Sequence, residues 1–242
     1  RLWTLDNFGE DMISNPRGGG IFYWDKSNGV TTRSINFTAL SGASDVPTVC
    51  NQVLVSEVDR HIICLGANTI GTTTQDPMLV RWSNQEDAAM WTPKTDNTAG
   101  SLRLIWTDTA LYSMQFIGPP FIFGINLVTE GVSMVSPQAA INANNAIYFM
   151  DQDNFYVYSG SVQSLPCSVR AYVFDDFNYD QTWKVHATRN AQFNEVTWFY
   201  CSGDSLEIDR YVTYNYLEQT WTIGTMARTA WIDAGSSTET PI

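Results

Sequence analysis

Apolar residues in this chain fall in runs of four or five with a period of two, and helical spacing is nearly absent. The runs are Ile21–Trp24, His61–Leu65, Met78–Trp82, Ile147–Met150, Phe155–Tyr158, Val196–Tyr200 and Tyr211–Tyr214. Each is rich in β-branched or aromatic residues and is bounded by Gly, Asn, Asp or Ser, which is the pattern of strand and turn. Lys26-Ser27-Asn28-Gly29 and Tyr158-Ser159-Gly160 read as turns, because Asn and Gly tolerate the positive φ that tight turns need. One segment departs from the pattern. In Ser168–Phe177, Val169, Tyr172 and Val173 share a face behind a possible Ser168 N-cap, which predicts a single short helix in a connection.

The strands recur in order. His61–Leu65, a polar loop to Pro77, Met78–Trp82, a polar turn and Trp91-Thr92 are matched by Val196–Tyr200, a loop to Asp209, Arg210–Tyr214, a turn and Trp221-Thr222. A weaker copy runs from Ala146 to Tyr158, and the first strands are expected in Leu5–Ile13 and Ile21–Trp24. A lone four-stranded sheet cannot bury both faces, but sheets packed side by side can, so units of roughly 40–50 residues predict a β-propeller-like array of small antiparallel sheets. The alternative all-β reading is a β-sandwich. The expected array covers residues 1–233 as one domain, followed by a C-terminal tail, 234–242. Thr31–Pro47 and Thr92–Ser101 read as linkers. Between Gly100 and Ile105 an expected strand pair is missing, as in a degenerate or incomplete unit. The chain opens Arg1-Leu2-Trp3, without a signal-like stretch, which reads as a fragment, a processed product or the ordered part of something longer.

Composition narrows the function. With 9 Trp, 11 Tyr and 12 Phe, the chain has too much apolar surface to stay disordered. Its 25 acidic residues against 13 Lys and Arg give a net charge of −12, the wrong sign for a protein that neutralises phosphates. Four cysteines, Cys50, Cys64, Cys167 and Cys201, are too sparse for a disulfide scaffold and contain no C-x-x-C pair. They read as reduced, buried thiols. His61 and His186 are the two histidines and both fall in strand-like stretches, so no zinc spacing exists. No run of 18 apolar residues predicts a membrane span.

Catalytic motifs are not found. Pro16-Arg17-Gly18-Gly19-Gly20 lacks the Lys-Ser/Thr of a phosphate loop, and there is no G-x-S-x-G elbow. Asp151–Asn154 and Asp176–Asp180 alternate oxygen ligands, but the first meets Phe155 where a ligand belongs. The second has Gln181 and Ala187 in place of the turn glycine and closing glutamate of a calcium loop, so both read as Asx turns. Glu57, Asp59, Glu195 and Glu207 could supply a glycosidase pair if they converged. The expectation is a chain that is not an enzyme and uses no cofactor or metal. A carbohydrate-binding or glycan-cleaving propeller is the alternative, motivated by aromatic residues near carboxylates. A cellular protein-interaction propeller is a third reading. Trp82, Trp91, Trp198 and Trp221, at equivalent places in the repeat, are expected to pack between sheets.

Asp6–Asp11, Pro16–Gly19, Trp106–Gly124, Asp153–Tyr158, Val173–Asp180 and Asp209–Trp221 resemble the propeller-bearing hub or nozzle proteins of short-tailed bacteriophages, the tail tubular protein B type. The resemblance implies a virion structural protein, made in the host cytoplasm, that forms a homo-oligomeric ring, commonly a hexamer, below the portal and adaptor. DNA leaves through such a ring without specific binding, and this chain would not insert in a membrane. The charge fits that role, since six copies carry roughly −72 formal charges and acidic walls repel phosphate. Glu86, Asp87, Asp175 and Asp176 are the expected channel-facing acids.

Overall fold

The computed structural model describes residues 2–56, 60–93, 103–118 and 122–231. The fold is all-β, and the described residues form five small sheets. It divides into two compact units, residues 1–103 with 114–125 and residues 104–113 with 126–242. The proposed tail, 234–242, and most of the linker Thr92–Ser101 lie outside the described residues.

The first unit begins with a four-strand meander: β1 (Trp3–Phe8), β2 (Asp11–Pro16), β3 (Phe22–Trp24) and β4 (Ile35–Asn36), paired in sequence order. Gly9, at φ 71°, makes the two-residue turn between Phe8 and its register partner Asp11. The Lys26–Asn28 turn is a 3₁₀ turn ended by Gly29 at φ 72°, and the Asp25 carboxylate caps it by accepting from the Ser27 amide. Thr31–Pro47 is not a free connector. It contributes β4 and Phe37, whose side chain is fully buried because it closes the core. A second sheet follows with β5 (Gln52–Val55), β6 (Ile62–Leu65) and β7 (Val80–Trp82). Phe8, Ile13, Val53, Val55 and Ile62, on facing sides of these two sheets, join Phe37 and Trp91 in one core.

The second unit stacks more regularly. To it belong residues 104–113 and 126–130 of the sheet β8 (Arg103–Trp106), β9 (Ala110–Gly118) and β10 (Ile122–Glu130), and two whole sheets: β11 (Ala140–Ala143), β12 (Ala146–Met150), β13 (Phe155–Tyr158) and β14 (Val162–Ser164); and β15 (His186–Asn190), β16 (Glu195–Tyr200), β17 (Arg210–Asn215) and β18 (Thr220–Thr225). The interval read as lacking strands therefore carries β8, next to β9. Asn144 and Asn145, at φ 50° and 58°, form the two-residue turn joining β11 to β12, where a primed turn matches strand twist. Period two puts Phe149 and Tyr156 on one face of the β11–β14 sheet, against Trp106 and Leu111. It puts Tyr148 and Phe155 on the other face, against Trp198, Val212 and Tyr214 of the β15–β18 sheet.

In both units the first strand of one sheet lies beside the first strand of the next, β1 by β5 and β11 by β15. Thr4 Oγ1 and Asp6 Oδ2 accept from the Val53 and Val55 amides of β5, at 3.3 and 2.7 Å. In the second unit Gln138 O accepts from the Ala187 amide at 2.7 Å. Consecutive meanders joined at their leading strands and packed face to face are the local arrangement of propeller blades.

The predicted helix forms as α1 (Arg170–Asp175), one residue later than the Ser168 N-cap signal implied. Val169 occupies the cap with no side-chain hydrogen bond, so Ser168 does not cap it. Val173 and Phe174 supply the apolar face that holds it to the sheets, and packing rather than capping secures this short helix.

Candidate functional site

The four acids expected to face a channel fall into two pairs, one in each unit. Glu86, at φ 57°, and Asp87 are exposed in the turn after β7. Glu86 lies 3.6 Å from Arg60, and Asp87 Oδ1 accepts from the Ala89 amide at 2.9 Å. This pair serves turn geometry. Asp175 and Asp176 end α1 in the second unit, where Asp175 is exposed and Asp176 enters a larger polar cluster.

That cluster is built where α1 meets the β16–β17 loop. Arg210 starts β17, and its Nη1 donates to the Tyr172 hydroxyl at 3.0 Å. Its guanidinium lies 3.6 Å from Asp176 Oδ2 and 3.7 Å from Asp209 Oδ2, too long for good hydrogen bonds. Asp209 is held by the Ser202 amide (2.8 Å) and hydroxyl (2.6 Å), and Asp176 accepts from the Gly203 amide at 3.3 Å. Behind them Tyr200 is fully buried, and its hydroxyl has no hydrogen-bond partner; neither has Arg210 Nε. Burial pushes the Tyr200 phenol well above its ordinary value of 10.0, and Tyr172 and the carboxylates of Asp176 and Asp209 push the same way against Arg210. The cluster is charged, half-exposed and short of hydrogen bonds.

The surface continues along 3₁₀ residues Tyr179–Lys184. Asn178 Nδ2 donates to Ser205 O at 2.9 Å, and Lys184 pairs with Glu207 at 3.0 Å, which fixes the β16–β17 loop against this segment. Arg170 pairs with Asp153 at 3.1 Å, and the Tyr179 hydroxyl donates to Gln152 O at 3.2 Å, which ties in the β12–β13 turn. Tyr172, Tyr179 and Trp183 are about half exposed on this surface, at 46%, 51% and 54%.

Other sequence candidates do not assemble. Asn178 Oδ1 accepts from the Asp180 amide two residues on, so Asp176–Asp180 contains an Asx turn, whereas Asp151 is buried with its oxygens taken by Ser133 and the adjacent Gln152 amide. Glu195 and Glu207 lie off opposite ends of the six-residue strand β16, which spans roughly 17 Å. A glycosidase pair needs about 5–9.5 Å, so these two do not form one. Glu57 and Asp59 lie outside the described residues. Cys50, Cys64 and Cys201 are buried free thiols and Cys167 is half-buried. His61 is buried, with Nδ1 2.7 Å from Ser83 O. His186 stacks on Phe199 at 5.0 Å. No group of three or more metal-ligating side chains occurs among the described residues, and no described helix is long and apolar enough to cross a membrane.

Arg210 and Tyr200 were not singled out by sequence reading. The available signal was the polar pair Asp209-Arg210 at the mouth of an apolar strand, opposite the end of the predicted helix.

No protein-family profile and no curated protein sequence matches the chain. Among solved structures it is similar to one described as the AfRom2 CNH domain, at a TM-score of 0.47 and 12% identity, over 95% of this chain and 74% of that one. A likeness at that level leaves family and function open.

Proposed function

We propose that the chain is a structural subunit of a bacteriophage tail, part of a nozzle or hub ring whose acidic wall lets DNA pass during ejection. The observation that carries this reading is a scaffold of repeated meanders, sheet after sheet, under a net charge of −12. Such sheets supply stiffness, and a negative wall keeps phosphate in solution instead of condensing it through counterion release. The tail-protein resemblance of β13, α1 and β17–β18 supports the same assignment. Outer strands with few charges, such as Thr220–Thr225, present open edges that assembly partners cover.

Negative-stain microscopy of the purified protein, with mass measurement across a concentration series, tests it. The expected result is a closed ring that excludes duplex DNA from its surface at low salt. A protein that stays monomeric at every concentration and is absent from purified tails overturns it.

A further inference from the structure

We propose that the surface formed by α1, residues 178–184 and the β16–β17 loop is a docking site for a basic segment of a protein partner. The inference goes beyond the tail assignment and does not depend on it.

Charge balance comes first. Arg170 is matched by Asp153 and Lys184 by Glu207, while Arg210 alone faces both Asp176 and Asp209. Asp175, Asp180 and Asp204 have no ion-pair partner among the described residues. One end of the second unit therefore carries a local excess of carboxylates, and its shortage is of cations. Acidity alone would mark only a solvated face.

The second observation is the unmet hydrogen bonding inside the cluster. Tyr200 is fully buried, yet its hydroxyl lacks a partner and lies among Tyr172, Arg210, Asp176 and Asp209. Buried polar groups are almost always satisfied, so an unsatisfied one beneath a charged surface marks an arrangement completed by something else. Arg210 is spread over three acceptors at 3.0, 3.6 and 3.7 Å and satisfies none of the carboxylates well. An incoming guanidinium or ammonium brings a charged donor to Asp176, whose hydrogen bond from the Gly203 amide is long at 3.3 Å, and a second cation to Asp209, which Ser202 already holds, and this frees Arg210 to reorganise toward the phenol oxygen. The half-exposed ring of Tyr172 meets Arg210 through its hydroxyl and that of Tyr179 lies near Asp153 and Asp175, while Trp183, on the same 3₁₀ segment, carries the Lys184 ammonium 5.1 Å from its ring centre. Aromatic rings take the stems and charged heads of Arg and Lys, and such residues concentrate in protein interfaces. A phosphate-bearing partner is disfavoured by the same carboxylates.

A fluorescein-labelled hexa-arginine peptide, titrated by anisotropy at low salt into the whole chain, is the probe. The triple variant Asp175→Asn, Asp180→Asn, Asp204→Asn removes three negative charges from the patch. A control triple, Glu10→Gln, Glu86→Gln, Glu130→Gln, removes three elsewhere. The patch triple is expected to weaken binding about tenfold or more and the control less than about threefold. Trp183→Ala, whose side chain is half exposed, is expected to weaken it about threefold with an unchanged melting temperature. Equal losses in the two triples, or no saturation below about 1 mM, overturn the proposal. So does binding of a neutral oligosaccharide panel in the absence of peptide binding.

Discussion

The two units solve the same packing problem with different materials. In the second, the seam between the β11–β14 and β15–β18 sheets is filled by rings: Phe155 lies 4.9 Å from Trp198 and 4.8 Å from Trp221, and Tyr214 4.6 Å from Trp221. Both sheets have four strands in continuous register, so large side chains meet layer on layer. The first unit has a second sheet of three strands; Phe8, Ile13, Val53, Val55 and Ile62 line its seam, and the rings of Phe37 and Trp91, which lie outside its strands, close it. There the buried Arg81 guanidinium bonds Asp45 O and, at 3.1 Å, Asn68 O, and Asn68 Oδ1 accepts from the Thr48 amide at 2.9 Å. Asn15 Nδ2 holds Gly19 O at 3.0 Å. Where strands are regular, burial of rings stabilises the seam. Where a sheet is short, loops complete it, and polar side chains must satisfy the loop carbonyls.

The contrast breaks first at Trp198. Trp198→Ala deletes a fully buried ring at the centre of the second seam and is expected to cost about 3–5 kcal/mol. Hydrogen exchange should show β11–β18 losing protection while β1–β7 keep theirs. Equal loss in both regions would show that the seams are not independent.

A smaller effect is expected at Arg81. Arg81→Met keeps the stem in the core but leaves the Asp45 and Asn68 carbonyls without a donor, at about 1–3 kcal/mol. Burial already lowers the pKa of this guanidinium, against the opposing pull of Cys64 and Asp45. Exchange should rise first in the loops at residues 45–48 and 68–76. A variant as stable as the parent would show that the apolar stem alone holds the seam.

Gly224→Ala comes next. An added methyl would meet the Tyr211 ring at about 2.6 Å across the β17–β18 register, so the ring must move, at roughly 1–2 kcal/mol. Denaturant melts of Gly224→Ala and of Gly224→Ala with Tyr211→Ala separate the clash from intrinsic strand propensity, because the double variant should recover part of the loss.

The smallest effect is a pH dependence confined to the second unit. His186 is stacked on Phe199 with Nε2 buried and unpartnered, and burial pushes its pKa below the ordinary 6.5. The unfolded chain therefore takes up the proton first on acidification. The stabilisation from neutral His186 is present above 6.5 and is lost as pH falls below that value toward the folded pKa. Melting temperature should drop on this limb, and His186→Phe should flatten it. An unchanged slope assigns the acid limb to carboxylates.

Much of this frame was legible before any coordinates. Phe155–Tyr158 is a strand to the residue, and Val196–Tyr200 and Tyr211–Tyr214 err by a residue at an end or two, because alternating aromatic residues leave one register that buries them. Short elements were not legible. β4 has two residues and owes its place to Phe37, which sequence alone could not distinguish from a loop aromatic. Trp198 and Trp221 were read as packing residues, and they stack at 6.2 Å. The polar cluster was half visible: Asp176 was named, but Arg210 and Tyr200 join it through a meeting of α1 and β17 that lies 34 positions apart in the chain, from 176 to 210.

The free cysteines give each half of the molecule its own clock. Cys50 and Cys64 sit in the first core and Cys201 in the second, all shielded from solvent, while Cys167 alone is partly open. A thiol-alkylating reagent added to the folded protein should therefore mark Cys167 at once and the other three only when their surroundings breathe. Peptide mapping of the labelled sites then times the opening of either half separately, with no engineered probe.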